Sequence, residues 1–368
     1  MKHFDYTDEM ISEREIMVAM PSMVVGVGVL SLPRYLAVGT SASDGVVSLV
    51  IGGIIAILLT WLVAKLAAGY PHQTFISYAS LIATKPVAIV LTLVFAIISA
   101  LIAAIQVREI ADISKHYLFD RTPVEAIALV FLLVVIYAVS GSRAGLFRLN
   151  MLFFPIVFFI AILVLLFNLR WFEMGNLLPA FKTSFSGYVK GVGTSVTSLI
   201  GFGILWVYMV LVKQPKKAPK MAVIGMTIPI VFYVFLFIIC IGVFGNSVTT
   251  NLLYPTIELA KVVELPGEFF ERFESIFFVI WIMAIFNTAA LGLDAAVFAL
   301  TSIFKKIKKR TIIFMLSPVV YLIAMFPQEF TQVATFERTV SYSAVSFTIF
   351  VIILLSVLAK LRSVKRVD

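Results

Sequence analysis

The chain alternates long apolar stretches with short polar connections along its whole length. Stretches such as 45–63, 87–104 and 152–167 hold roughly 16 to 20 residues, close to the number that an α-helix needs to cross about 30 Å of hydrocarbon. Charged residues, proline and glycine mark the boundaries. The pattern predicts an all-α integral membrane protein with about ten transmembrane helices, at 14–38, 45–69, 86–116, 122–140, 146–169, 189–212, 220–244, 273–303, 311–327 and 338–360.

Lysine and arginine divide unevenly between the two sides of these ten spans. Of the 29 basic residues, 19 fall at the N-terminus, in the even-numbered connections with their flanks, and at the C-terminus. The positive-inside rule assigns this side to the cytoplasm. We therefore expect a multi-pass protein of the cell membrane with both termini cytoplasmic, and the basic run 305–310 is the strongest marker.

Composition excludes several other classes of protein. Hydrophobic residues make up 61% of the 368 positions and charged residues 13%, against about 45–50% and 25% in a soluble domain. The net charge of +9 comes from clusters between apolar stretches, which argues against a nucleic-acid partner. Cys240 is the only cysteine, and His3, His72 and His116 make no metal-ligand spacing. We predict no metal, no cofactor and no enzymatic activity.

Two spans are interrupted by glycine. Residues 21–33 read PSMVVGVGVLSLP and residues 191–203 read GVGTSVTSLIGFG, at the first place in each half of a ten-span chain. Each glycine costs about 0.8–1 kcal/mol of helix propensity relative to alanine. Such breaks expose backbone N–H and C=O groups to a substrate in transporters built from inverted repeats. Close packing between helices is the alternative explanation, since glycine serves that purpose in membranes too.

Three shorter segments complete the organisation. The connections 171–188 and 246–270 fall on the outer side, and the second is predicted to contain a short amphipathic helix along the outer surface. Segment 72–84 is too short and polar to cross, and predicts an interfacial turn of helix on the cytoplasmic side. The charged residues near the outer end of the third span, including Arg108, Glu109 and Asp112, are interpreted as solvated helix-end charges.

Residues 11–15 (ISERE) lead into the GVG-containing first span with Pro33 after it, and 254–261 (YPTIELAK) are followed by 265–272 (LPGEFFER). Together these motifs resemble the endospore germination permease family, the B subunit of spore germinant receptors. The resemblance covers essentially the whole chain, and that family is similar in turn to the amino acid/polyamine/organocation permeases. A germinant receptor senses a nutrient in the inner membrane of a dormant spore.

The resemblance implies a single permease-like domain of two inverted five-helix repeats, 1–170 and 171–368. It implies a site for a small germinant, an L-amino acid above all, between the broken first and sixth spans, flanked by the third and eighth. Other receptor subunits and the lipid bilayer are the further partners. The candidate ligand-binding residues are Gly26, Val27, Gly28, Ser198, Gly201, Phe202, Gly203, Asn287 and Thr288.

Polar residues of the eighth span leave more than one interpretation open. Asn287 and Thr288 can hydrogen-bond a ligand or a neighbouring helix, and the resemblance favours the ligand. Asp294 can couple an ion or a proton, face an aqueous vestibule, or play a structural role as a protonated acid or as the partner of a basic residue such as Arg148.

An ion- or proton-coupled amino acid transporter is the rival function. The same broken helices serve a sensor and a transporter, and Asp294 suits transport. The sixth span also departs from the related permeases, because Ile204 and Leu205 stand where an acidic residue is expected beyond the break. The identity of the ligand is therefore open.

Overall fold

A computed structural model describes residues 9–26, 28–263 and 273–362, and this part of the chain is almost entirely helical. Its helices are α1 Glu13–Val24, α2 Gly28–Gly39, α3 Gly45–Ala68, α4 Phe75–Ile82, α5 Lys85–Tyr117, α6 Val124–Ser140, α7 Arg143–Phe167, α8 Phe185–Ser198, α9 Leu205–Tyr208, α10 Ala218–Asn251, α11 Pro255–Val262, α12 Phe273–Ile303, α13 Lys309–Met325 and α14 Phe330–Leu361. Short 3-10 turns, among them Ile200–Ile204 and Met209–Leu211, flank α9.

The ten predicted spans each correspond to a helix or to a bent pair of helices. Six single helices are long and apolar enough to cross a membrane, and α1 with α2 and α8 with Ile200–Leu211 form two bent pairs that pass the same test. The 17-residue helices α6 and α13 occupy the fourth and ninth places. The predicted all-α membrane fold, with breaks in the first and sixth spans, is confirmed.

Packing between the two halves of the chain builds the centre of the molecule. The helix α5 lies along α12, α3 packs against α8 and α10, and α1 packs against α10. Asp44, at the start of α3, accepts hydrogen bonds from the backbone N–H groups of Phe181, Lys182 and Thr183, at 2.5, 2.9 and 2.8 Å. These bonds fix the connection between the two halves against the beginning of the second span.

Both ends of the motif at 11–15 have a structural role. Ser12 and Glu15 form a capping box, in which each side chain bonds the other residue's backbone N–H, and α1 begins there. Ile11 pairs with the end of the sixth span: its N–H donates to the Leu211 carbonyl at 2.8 Å, and its carbonyl accepts from Lys213 N–H at 2.9 Å. The N-terminal end of the first span is thus tied to the C-terminal end of the sixth.

Three predictions about boundaries and exposure were wrong. The tenth span begins at Phe330, well before the predicted 338. The amphipathic helix α11 is not laid along the surface: it packs against α2, and its buried Thr256 hydroxyl donates to the Val29 carbonyl at 2.9 Å. Among the charges of the third span, Arg108 and Glu109 are buried and not solvated, whereas Lys115 is exposed and Arg108 pairs with Asp112 at i, i+4. The motif segment 265–272 lies outside the described residues.

The predicted orientation can be tested with single cysteines at exposed Lys308 and Lys182, in a Cys240→Ala background. Because position 308 belongs to the basic run and position 182 to an odd-numbered connection, an impermeant thiol reagent should label 182 in intact cells. Position 308 should react only after permeabilisation. Labelling of 308 but not 182 in intact cells would reverse the orientation.

Candidate functional site

The two bent spans meet at their breaks in the middle of the molecule. The helix α1 ends at Val24 and α2 starts at Gly28, with a bend of 56°, and α8 ends at Ser198 before a bend of 41° into Ile200–Leu211. The breaks touch each other, since a Cβ atom on Gly201 would stand 2.7 Å from Cγ2 of Val24. The predicted meeting of the first and sixth spans at a glycine-rich centre is what the structure contains.

Side chains of the second half satisfy the carbonyls that the first break releases. Thr288 donates its hydroxyl to the Ser22 carbonyl at 3.0 Å. The Tyr233 hydroxyl donates to the Val24 carbonyl at 3.0 Å, and the Trp281 indole N–H donates to the Gly26 carbonyl at 3.1 Å. Helix ends leave such groups unpaired, and in hydrocarbon each unpaired group costs several kcal/mol. These three bonds stabilise the broken conformation.

A cavity of about 50 Å³ lies beside the breaks. Space of this size holds a few water molecules, given that one requires about 10–15 Å³ on the same measure. Both broken spans contribute to its wall, together with α5, α12 and α14. The lining residues are Met23, Val24, Gly26, Gly28, Ile102, Ile105, Gln106, Thr197, Ser198, Ile200, Thr288, Glu337 and Ser341.

Four of the predicted ligand-binding residues line this cavity: Gly26, Gly28, Ser198 and Thr288. The two glycines differ in the space around them. A Cβ on Gly26 would meet the Gln106 Oε1 atom at 2.7 Å and the Thr288 hydroxyl oxygen at 2.8 Å, whereas a Cβ on Gly28 would meet nothing within 4 Å. Gly28 therefore faces open space at the N-terminus of α2, and Gly26 lies in close packing.

The other predicted ligand-binding residues lie elsewhere. Phe202 and Gly203 line a second cavity of about 30 Å³, which shares Met23, Ile102 and Ile200 with the first. Gly201 lines neither of these cavities, because its open side is filled by α1. Asn287 is buried outside both, with its Oδ1 atom lacking a hydrogen-bond partner.

Val27, the remaining predicted ligand-binding residue, lies outside the described residues. Gly201 packs against Val24 and Met20, which favours the helix-packing alternative at this position, and its role in ligand binding stays a prediction.

The cavity also contains polar residues that the sequence analysis did not assign to it. Glu337 and Ser341, one helical turn apart on α14, line it together with Gln106 of α5. Glu337 was missed because the tenth span was started one residue after it. A helical pattern extended back to Phe330 would have placed this carboxylate inside the membrane domain, where it becomes a functional candidate.

Asp294 lies in a separate charged cluster, six residues and roughly 9 Å along α12 from Thr288. Its Oδ2 atom is 3.3 Å from Arg143 Nε and its Oδ1 atom is 3.3 Å from Lys309 Nζ. The Tyr208 hydroxyl donates to Oδ2 at 2.8 Å. The carboxylate is fully buried. Arg148, the basic partner that the sequence suggested, is not paired with Asp294 and lies 4.0 Å from Glu15. Of the open interpretations, this geometry favours the structural ion pair.

Fold and site together define a permease-type membrane protein, with a central cavity at two broken helices. The chain belongs to the family described as spore germination protein, whose model matches residues 10–333. Its relatives include spore germination protein GerLB of Bacillus cereus, which is 39% identical over 98% of this chain and 97% of that one. Spore germination protein YndE of Bacillus subtilis (strain 168) is 31% identical over 96% and 97%.

Solved transporters share the fold at low sequence identity. MhsT in complex with L-phenylalanine matches with a TM-score of 0.65 and 18% identity, over 86% of this chain and 80% of MhsT. Mhp1, a nucleobase-cation-symport-1 family transporter with bromovinylhydantoin bound, matches with a TM-score of 0.64 and 13% identity, over 88% and 74%. The likeness supports the predicted architecture of inverted five-helix repeats.

We expect Asp294→Asn to lower the free energy of unfolding by about 3–5 kcal/mol, because it leaves Lys309 without its counter-charge and Arg143 with only the Glu9 carboxylate, 3.6 Å away. Thermal unfolding of the purified protein measures this loss. Arg148→Gln is the control: its side chain is 58% exposed, and a solvated pair contributes about 1 kcal/mol at most. If Asp294 instead couples an ion or a proton, the Asn variant keeps its stability and changes the pH dependence of the response.

Proposed function

We propose that this chain is the nutrient-sensing permease-like subunit of a spore germinant receptor, located in the inner membrane of the spore. It binds a small germinant of the L-amino acid class in the cavity beside the two breaks and acts with other receptor subunits to trigger germination. The observation that carries this proposal is the position of the N-terminus of α2 at that cavity, in a family of spore germination proteins.

The N-terminus of α2 offers what a carboxylate requires. The first N–H groups of a helix have no partner within it, and the helix dipole places partial positive charge there. Gly28 opens this end to the cavity without a side chain in the way. Three carbonyls of the first break are already bonded to the side chains of Thr288, Tyr233 and Trp281, which favours the N–H groups of α2 as the backbone groups that bind a ligand.

Sensing requires that the germinant bind one conformation more tightly than another. A small cavity at the contact of two bent spans meets this condition, since any movement of one break against the other changes the cavity's shape. Moving an equilibrium from 1:99 to 99:1 takes about 10⁴-fold differential affinity, or about 5.5 kcal/mol. A ligand held at both its charged ends can supply a difference of that size.

We expect Gly28→Ala to raise the germinant concentration for half-maximal response about tenfold, equivalent to about 1.4 kcal/mol. The added methyl group occupies ligand space without a clash, and alanine favours the helix, so abundance should be normal. The shift should be larger for bulky amino acids than for glycine or alanine. Germination of spores that carry this receptor alone measures it.

Two further glycine variants provide matched controls. Gly175 is exposed in the outer connection, and a Cβ there also meets nothing within 4 Å, so Gly175→Ala should respond as the wild type does. Gly201→Ala forces a methyl group against Val24 and should lower abundance instead of altering ligand preference. An unchanged concentration dependence in abundant Gly28→Ala would place the germinant elsewhere.

Coupled transport of the amino acid is the alternative function, and the fold shared with MhsT and Mhp1 favours it. Uptake of labelled amino acid into proteoliposomes that contain the purified chain separates the two functions. We expect saturable binding without accumulation. Accumulation driven by an ion or proton gradient would identify a transporter.

A further inference from the structure

The amino group of an α-amino acid requires a hydrogen-bond acceptor in the cavity, and the backbone near the first break offers few. The carbonyls of Ser22, Val24 and Gly26 each already accept a bond from a side chain. On the sixth span, the hydroxyls of Thr197 and Ser198 are turned back onto carbonyls of their own helix. A protonated amine would therefore find its strongest acceptor among the side chains of the cavity wall.

Glu337 is the carboxyl group in that wall. It projects from α14 one turn from Ser341, into a cavity whose other side chains are aliphatic, hydroxyl or amide groups. Glu109 of α5 faces it, within the reach of a hydrogen bond between the two carboxyl groups. Glu109 is only 6% exposed, and its Oε2 atom has no hydrogen-bond partner.

Two carboxyl groups that face each other, Glu109 buried and Glu337 partly exposed, are expected to share one negative charge. Ionising both would place like charges side by side in a low-dielectric medium, so one of them retains its proton. Of the basic groups nearby, Arg108 pairs with Asp112 at 2.8 Å, Arg34 lies over the Phe330 ring with one buried terminal nitrogen lacking a hydrogen-bond partner, and Arg338 is exposed. Asp112, Tyr35 and Tyr254 are the other titratable groups near the pair. Among the described residues, no lysine or arginine forms an ion pair with either glutamate.

We propose that Glu337, with Glu109 behind it as the proton-holding partner, accepts the protonated amino group of the germinant. The proposal rests on the function proposed above and narrows its ligand class. A single negative charge on the α14 side and the N-terminus of α2 at the same cavity match the two charged ends of a zwitterion. The site then selects α-amino acids over sugars, nucleosides and carboxylic acids that lack an amine.

The test compares wild-type, Glu337→Gln and Glu109→Gln receptors, each as the sole receptor in spores. The probes are the twenty amino acids, the deaminated acids lactate and glycolate, glucose and inosine. We expect amino acids alone to trigger the wild type. Glu337→Gln removes the charge at the cavity and should raise the required concentration at least tenfold, and Glu109→Gln should cause a smaller shift.

Two controls separate this role from folding. Glu329→Gln makes the same chemical change at the exposed start of α14 and should leave the response unaltered. Glu337→Asp retains the charge and should recover part of the response. The Asp variant therefore tests the proposal even if the Gln variant is not abundant. Receptor abundance is followed by immunoblotting of the spore membrane.

The possible results distinguish the two proposals. If Gly28→Ala shifts the response while Glu337→Gln and Glu337→Asp match the wild type, the cavity binds the germinant but Glu337 does not accept its amino group. If none of these variants shifts the response, the proposed site is wrong as a whole. A wild type that responds to none of the amino acids, or equally well to lactate or glycolate, overturns the amine-recognition proposal.

Discussion

The broken first span depends on hydrogen bonds that come from other helices. A helix interrupted in hydrocarbon exposes carbonyl groups that have no water to bond, and the structure persists only if protein groups replace the missing partners. Thr288 and Trp281 of α12 and Tyr233 of α10 provide them for Ser22, Gly26 and Val24. The positions of the seventh and eighth spans are thereby fixed relative to the first.

This requirement also divides the polar backbone groups between the protein and its ligand. The protein bonds the carbonyls at the end of α1, while the N–H groups at the start of α2 open on the cavity at Gly28. A chain that used both the carbonyls and the N–H groups for a ligand would leave both sets without protein partners in its empty state. Assigning the cation to a side chain limits this exposure to the N–H groups.

Sequence patterns predicted the fold well, because the membrane leaves few alternatives. Ten apolar stretches and two glycine-rich interruptions are enough to give the helices, the breaks and the elements that line the cavity. Charges close to the ends of spans were predicted poorly. Glu109 and Glu337 look like boundary residues when each is read within its own segment, and only the packing of α5 near α14 shows that they face each other.

The same limit applies to residues of one type in similar contexts. Gly28 and Gly201 both stand in glycine-rich breaks. Gly28 opens on a cavity, whereas the space beside Gly201 is filled by the side chain of Val24. Arg143 and Arg148 both lie near the start of α7, yet only Arg143 reaches Asp294, since five positions along a helix turn a side chain to another face. Local sequence carries no information about which neighbour occupies the space beside a residue.

The pairing of Ile11 with the segment 211–213 has a mechanical consequence. Two backbone hydrogen bonds, each contributing about 0.5–1.5 kcal/mol, join the start of the first span to the end of the sixth. The two bent spans are therefore restrained against sliding past each other at that end, and relative displacement of the spans is expected to be smaller there than at the breaks.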